Sequence, residues 1–268
     1  MIYIPVNGVK IAVQDINPQG KKTVLLVHGW PLNRKMFEYQ TDLMPSLGFR
    51  CVCIDLRGFG QSDAPWGDYS YNRMADDIYR VVSIMNLTRL SLVGFSMGGA
   101  VVIRYMARHS GCRVARLALL SAAAPSFVRR PNYPYGMTRE EVDALIAQIR
   151  ADRPRAIAQF GTQLFAVKPS AQFTEWFTQL TWSASPQGTI GGVLALRDED
   201  LRADLAKIKV PTGIFHGKMD RICPYPFALE MQKGIAGSQL YPFEQSGHGV
   251  FYDELEAFNK AFIDFLNG

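Results

Sequence analysis

Strand-length apolar runs alternate with amphipathic helical patterns along this chain, which predicts an α/β fold: a mostly parallel sheet with helices on both faces. Two further observations support it. The strand candidates are continuously apolar, as strands covered on both faces are. The alternation also stops once, after Leu120, for a stretch that reads as helices alone, and resumes at Pro211. The chain has 268 residues, 48% hydrophobic and 20% charged, and a chain of that length and composition buries a core without staples. Collagen-like, coiled-coil and low-complexity classes are excluded.

In chain order, Ile2–Val6 and Val9–Asp15 read as a hairpin, because Asn7-Gly8 suits a two-residue turn. Thr23–Val27, Cys51–Ile54, Leu90–Val93, Val114–Leu120, Thr212–Phe215 and Gln239–Phe243 follow as strands. Helical spacing marks Lys35–Ser46, Tyr71–Met85, Met97–Arg108, Pro224–Lys233 and Asp253–Phe265. Within the interruption, Thr138-Arg139-Glu140-Glu141 is a capping box ahead of Val142, Leu145, Ile146 and Ile149. Ser185-Pro186 pairs an N-cap with proline at the first helical position. The expectation is one domain over residues 1–268, with its core in 1–124 and 207–268 and a helical cap, 125–206, inserted after the sixth strand.

The 29 Lys+Arg against 24 Asp+Glu leave a net charge of +5, dispersed along the chain, and no basic run suits a nucleic acid. The longest uncharged stretch, about Leu90 to Ile103, is shorter than the ~20 residues of a membrane helix and is broken by glycines. The first residues lack the basic flank of a signal peptide. Cys51, Cys53, Cys112 and Cys223 are too scattered for a disulfide framework or a metal site, and read as free thiols of a cytoplasmic protein. No membrane or nucleic-acid partner is expected; oligomeric state is left open, a homo-oligomer included.

The chemistry is written most plainly in Gly94-Phe95-Ser96-Met97-Gly98-Gly99, between a strand and a helix. A turn this tight forces its serine into strained geometry, and glycines on either side let strand and helix approach. Ser96 is thereby the candidate nucleophile. A serine hydroxyl needs a base, and for this elbow the chain order is serine, acid, histidine. His248, on the loop Ser246-Gly247-His248-Gly249 after the last strand, is the candidate base, whereas His28, His109 and His216 read as structural. Asp220, following the strand Thr212–Phe215, is the candidate orienting acid; the competing role is a turn aspartate capping the next helix. The preceding strand ends in Ser121-Ala122-Ala123-Ala124 and offers no carboxylate. The backbone N–H groups of Met97 and Trp30 are the candidate oxyanion donors. Asp55 and Arg57 read as a turn network.

His28-Gly29-Trp30-Pro31, the turn Asp55–Asp63, the elbow Gly94–Ala100, the acid loop Gly217–Pro224 and Ser246–Gly249 together resemble the α/β-hydrolase superfamily from Val9 to the C-terminus. Trp30, Met97-Gly98-Gly99 and Arg113–Ser121 resemble its cofactor-free bacterial haloperoxidase and aryl-esterase branch. That resemblance implies ester hydrolysis and, in some members, perhydrolysis of short acids by hydrogen peroxide. Phe59 stands where histidine is common in the superfamily, and the cap matches no pattern that would carry a substrate over.

The reading is a serine esterase with no metal and no organic cofactor, acting on a small-molecule ester or acyl substrate. Aromatic residues of the cap are expected to line an apolar acyl or aryl pocket, with Pro31, Phe127, Phe160, Phe165 and Trp182 as candidates. Two alternatives stand beside it. A lactonase or carbon–carbon bond hydrolase on the same triad would read a carboxylate with cap cations, for which Arg129, Arg130 and Arg197 are candidates. A small-molecule sensor that retains the triad is the other, since fold alone does not fix function.

Overall fold

In the computed structural model, which describes all 268 residues, β1 (Ile2–Val6) turns through Asn7-Gly8, both at positive φ, into β2 (Val9–Ile16). β3 (Lys22–Val27), β4 (Phe49–Ile54), β5 (Leu90–Phe95), β6 (Val114–Leu120), β7 (Thr212–Gly217) and β8 (Gln239–Phe243) complete the sheet. Its eight strands are ordered β1-β2-β4-β3-β5-β6-β7-β8. β2 runs antiparallel to both neighbours, and every pairing from β4 to β8 is parallel. The C-terminal ends of those strands therefore share one edge. The connections diverge on either side of β3, and the crevice at such a switch point is where open α/β sheets place their ligands.

The parallel strands are continuously apolar because helices cover both faces. Val24, Leu25, Leu26 and Val27 of β3 are fully buried, as are Leu117 to Leu120 of β6. Each such aliphatic side chain contributes roughly 1.5–3 kcal/mol of burial. The helices before β6 are α1 (Glu38–Leu43), α2 (Tyr71–Ile84) and α3 (Met97–Arg108). Between β6 and β7 come α4 (Arg139–Ala151), α5 (Arg153–Gly161), α6 (Ala171–Trp182), α7 (Pro186–Asp198) and the short α8 (Arg202–Leu205). After β7 follow α9 (Pro226–Gly234), α10 (Val250–Asp253) and α11 (Leu255–Asn267). No helix is long and apolar enough to cross a membrane. Local capping is as the residues dictate: Thr138 and Glu141 bond each other's backbone N–H at 3.1 and 2.7 Å, and Ser185 accepts from Gly188 N at 2.9 Å. Cys51, Cys53 and Cys223 are buried free thiols and Cys112 is partly exposed; burial pushes the Cys51 thiol up to about 12.

Three expected helices are corrected. Lys35–Ser46 is not one helix but a 3-10 turn (Arg34–Phe37), α1, and a second 3-10 turn (Met44–Leu47). Asn33 caps the first through Lys35 N, and Pro45 carries no N–H with which to continue α1. The helix placed at Pro224 starts at Pro226. The final helix breaks at Glu254, where φ −118° and ψ 55° leave the helical region.

Two buried ion pairs hold the loops at the C-terminal edge. Arg57 pairs with Asp77 through two bonds of 2.6 and 2.8 Å. The Asp55 carboxylate accepts from the Arg34 guanidinium, from Arg34 N at 2.8 Å and from Gln61 N at 2.9 Å, joining the loop after β3 to the loop after β4. Asp55→Ala removes the carboxylate paired with the buried Arg34 guanidinium and leaves it the Gln14 and Gln61 amide oxygens, so urea unfolding should show a loss of about 3–5 kcal/mol. A loss below about 1 kcal/mol, the scale of a surface pair, would show that Gln14, Gln61 and water satisfy Arg34 without the carboxylate.

Candidate active site

Ser96 sits between β5 and α3 with φ 53° and ψ −120°. Holding a non-glycine residue there costs roughly 1–3 kcal/mol. The surrounding backbones leave no alternative. A Cβ on Gly94 would lie 2.5 Å from the Gly98 carbonyl oxygen, and one on Gly98 would lie 2.4 Å from that of His28. The turn raises Ser96 at the head of α3, nearly buried at 7% exposure.

β7 delivers Asp220 and β8 delivers His248. The His248 Nδ1–H donates to Asp220 Oδ2 at 2.8 Å, while Oδ1 accepts from Ile222 N at 2.9 Å and Cys223 N at 2.8 Å. One Asp220 oxygen thus closes its own turn and the other meets the imidazole; Asp220 does not cap the next helix, α9, whose N-cap is Tyr225 with no side-chain bond. With Nδ1 protonated, Nε2 presents a lone pair, and no protein group accepts or donates there. The His248 ring lies 4.9 Å from that of Phe95, beside Ser96. Neither Trp30 nor Met97, both buried, donates its backbone N–H to any acceptor inside the protein. The loops after β3 and β5 bring these two amides to the same end of the sheet as Ser96.

The other histidines are occupied or walled off. His28 donates from Nδ1 to Gly29 O at 2.8 Å and accepts at Nε2 from Leu56 N at 2.9 Å. His216 donates from Nε2 to Cys223 O at 2.7 Å. Burial lowers the pKa of both, keeping them neutral. His109 pairs with Asp76 at the far end of α3. No group of three or more His, Cys, Asp or Glu is arranged to hold a metal ion.

A cavity of about 480 Å³ opens beside this edge, walled by Trp30, Pro31, Phe160, Leu164, Phe165 and Phe177 among others. It borders the site: Trp30 is in its wall, and so is Phe165, which packs against Gly249 next to His248, while Ser96, Asp220 and His248 are not among its lining residues. Of the five candidate wall residues, Pro31, Phe160 and Phe165 lie here. Phe127 instead lines a separate hollow of about 360 Å³ with Phe160, Arg221 and Ile222. Trp182 is corrected: it is 41% exposed on the outer side of α6, beside Glu175 and Gln179. A larger groove of about 780 Å³, between Trp66–Ser70 and α7, touches none of the candidate catalytic residues. Sequence reasoning did not find Asp253 and Glu254, whose carboxylates hold the loop carrying His248.

Residues 22–255 match the family defined by the alpha/beta hydrolase fold. The chain is an α/β-hydrolase. It is 51% identical to the AB hydrolase superfamily protein YisY of Bacillus subtilis (strain 168), over 97% of this chain and 96% of the relative. Its structure superposes on an esterase from Exiguobacterium antarcticum with a TM-score of 0.97 at 45% identity, covering 99% of each chain. A bromoperoxidase from Bacillus anthracis follows with a TM-score of 0.94 at 28% identity, covering 100% of this chain and 99% of the other. The hydrolase is thus similar to both esterases and haloperoxidases. Of the arginines weighed as carboxylate readers, Arg130 bonds the carbonyls of Arg197 and Glu199 and Arg197 pairs with Asp143 and Asp198, while Arg129 is exposed and bonds Gly136 O through Nε; none of the three lines the cavity of about 480 Å³.

Asp220→Asn separates the two roles of the acid. Asparagine keeps its oxygen on the Ile222 and Cys223 amides and turns its NH₂ toward His248, favouring the tautomer protonated on Nε2. Ester turnover should fall by on the order of 10⁴, the scale of the equivalent change in a serine protease, with little change in melting temperature. Turnover equal to the parent's would leave His248 without its orienting acid.

Proposed function

We propose that this hydrolase cleaves carboxylic esters through an acyl-Ser96 intermediate. What carries the reading is the Asp220–His248 pair, joined at 2.8 Å, ending next to a serine at a strained turn flanked by two amides without internal acceptors. Ser96 Oγ attacks the ester carbonyl as His248 Nε2 takes its proton; in enzymes without substrate this contact is commonly long and tightens in the complex. The Trp30 and Met97 N–H groups stabilise the oxyanion, and Asp220 stabilises the imidazolium. His248 then protonates the departing alcohol and activates water, whose attack releases the acid and restores Ser96. The acyl group occupies the apolar cavity of Trp30, Pro31, Phe160 and Phe165. Core residues 1–124 and 207–268 serve as the catalytic body in this reading, and 125–206 as the cap that shapes the substrate.

Similarity to a bromoperoxidase supports a second outcome at the same centre. Hydrogen peroxide replaces water, its oxygen bonds to the acyl carbon as the Ser96 ester bond breaks, and the product is a peracid. No electron passes to the protein, so the reaction calls for no cofactor.

A panel of nitrophenyl esters graded by acyl length tests the first proposal. Ser96→Ala should lower kcat by on the order of 10⁶ while the protein stays folded. A folded variant within tenfold of the parent would overturn the assignment. Acetate with hydrogen peroxide tests the second: the parent should form peracetic acid above the Ser96→Ala background, and its absence would leave a plain esterase.

A further inference from the structure

The loop that carries His248 is held from outside the sheet. Asp253, in the short α10 just beyond it, accepts from Gly247 N at 2.7 Å and from Ala166 N at 3.0 Å on Oδ2, and from Val167 N at 3.2 Å on Oδ1. Gly249 N donates to Leu164 O at 2.8 Å. The chain segment between α5 and α6 therefore lies flat against the histidine loop. Glycines on either side of His248 allow this: a Cβ on Gly247 would sit 2.9 Å from Ala166 N, and one on Gly249 only 2.3 Å from the Phe165 ring. Leu164, Phe165 and Ala166 are also cavity wall. The neighbouring Glu254 accepts from Gln245 N at 3.0 Å and Ser246 Oγ at 2.7 Å, holding the other half of the loop. The break between α10 and α11 falls at Glu254 itself, directly after Asp253.

We propose that Asp253 is a positioning residue, whose carboxylate clasps the His248 loop to the segment Leu164–Val167 and so sets the reach of the imidazole and the wall of the acyl cavity together. The proposal rests on the assignment of Ser96 and His248 above. A carboxylate that only satisfied three amides would affect folding alone. A clasp makes a different, two-part signature: the imidazole is misplaced for every ester, and the cavity wall is loosened only for esters long enough to touch it.

The test uses Asp253→Ala, which removes both oxygens and so all three hydrogen bonds, and Asp253→Asn, whose one oxygen still serves Gly247 and Ala166. For each, kcat and KM are measured on nitrophenyl acetate and nitrophenyl hexanoate, together with the rate at which a small sulfonyl fluoride labels Ser96, well below the variant's unfolding temperature. Asp253→Ala should lose about 10–100-fold in kcat on both esters, the scale of a displacement near 1 Å. Labelling should slow in step, and KM should rise for the hexanoate only. Asp253→Asn should recover to within about fivefold of the parent, the equivalent of one ordinary hydrogen bond. Unchanged kcat and labelling in folded Asp253→Ala would overturn the proposal, as would losses that merely track the unfolded fraction. Failure of the sulfonyl fluoride to label the parent would instead refute the Ser96 assignment itself.

Discussion

At Gly98 the first turn of α3 passes so close to the end of β3 that one added carbon would sit 2.4 Å from the His28 carbonyl oxygen and 2.5 Å from that of Val27. This contact decides the geometry of the whole C-terminal edge. It sets the separation of β3 and β5, and with it the distance between the amides that follow them, Trp30 and Met97. It also forces the backbone to reverse over Ser96, at a cost in strain that the packed strands on either side sustain. Hydrogen bonds alone would not fix the turn so firmly, because they tolerate a few tenths of an ångström; contact between backbones does not.

Around this point the charged groups act as fasteners. The Asp55–Arg34 pair joins the loops after β3 and β4, Arg57–Asp77 ties the second of these to α2, and Asp220 spends one oxygen on its own turn before the other meets His248. Buried pairs of this kind add little net stability compared with well-packed apolar residues. Their worth here is directional. A carboxylate with several donors fixed on it holds loop backbones at set distances, which an apolar contact of equal energy does not do.

The sheet and the proposed catalytic residues were legible in the sequence because their signals are local. Continuous apolar runs mark covered strands, the glycines about Ser96 mark the elbow, and Asp220 and His248 each follow a strand end. What escaped acts over distance or depends on which way a helix faces. Asp253 meets Ala166 across 87 positions, and no nearby residue pattern announces that pairing. Its trace was the pair of glycines around His248, which meet a packing requirement against Phe165 and Ala166. Trp182 was misplaced because an aromatic-rich helix was taken to face inward throughout. Phe173 and Phe177 do face inward, and Trp182, nine residues beyond Phe173, points about half a turn away. The helix expected over Lys35–Ser46 was overridden by Pro45 and by the Asn33 cap, which closes a tighter turn than apolar spacing alone indicates.

Trp30 joins the loop after β3 to the helices between β6 and β7. Its backbone follows β3, while its indole N–H donates to Thr189 O of α7 at 2.9 Å. Asn33, three residues on, bonds Leu180 O and Ser183 Oγ at 3.0 and 2.9 Å, and Ser185 N bonds Gly58 O at 2.8 Å. Each of these attachments ends on cap backbone or on a small hydroxyl, and none reaches a residue of the cavity wall other than Trp30 itself. On this side, anchorage and lining fall on separate residues, whereas at the histidine loop Leu164 and Ala166 do both. Phe160 and Phe177 are therefore the wall positions whose shape can change without disturbing a hydrogen-bonded attachment.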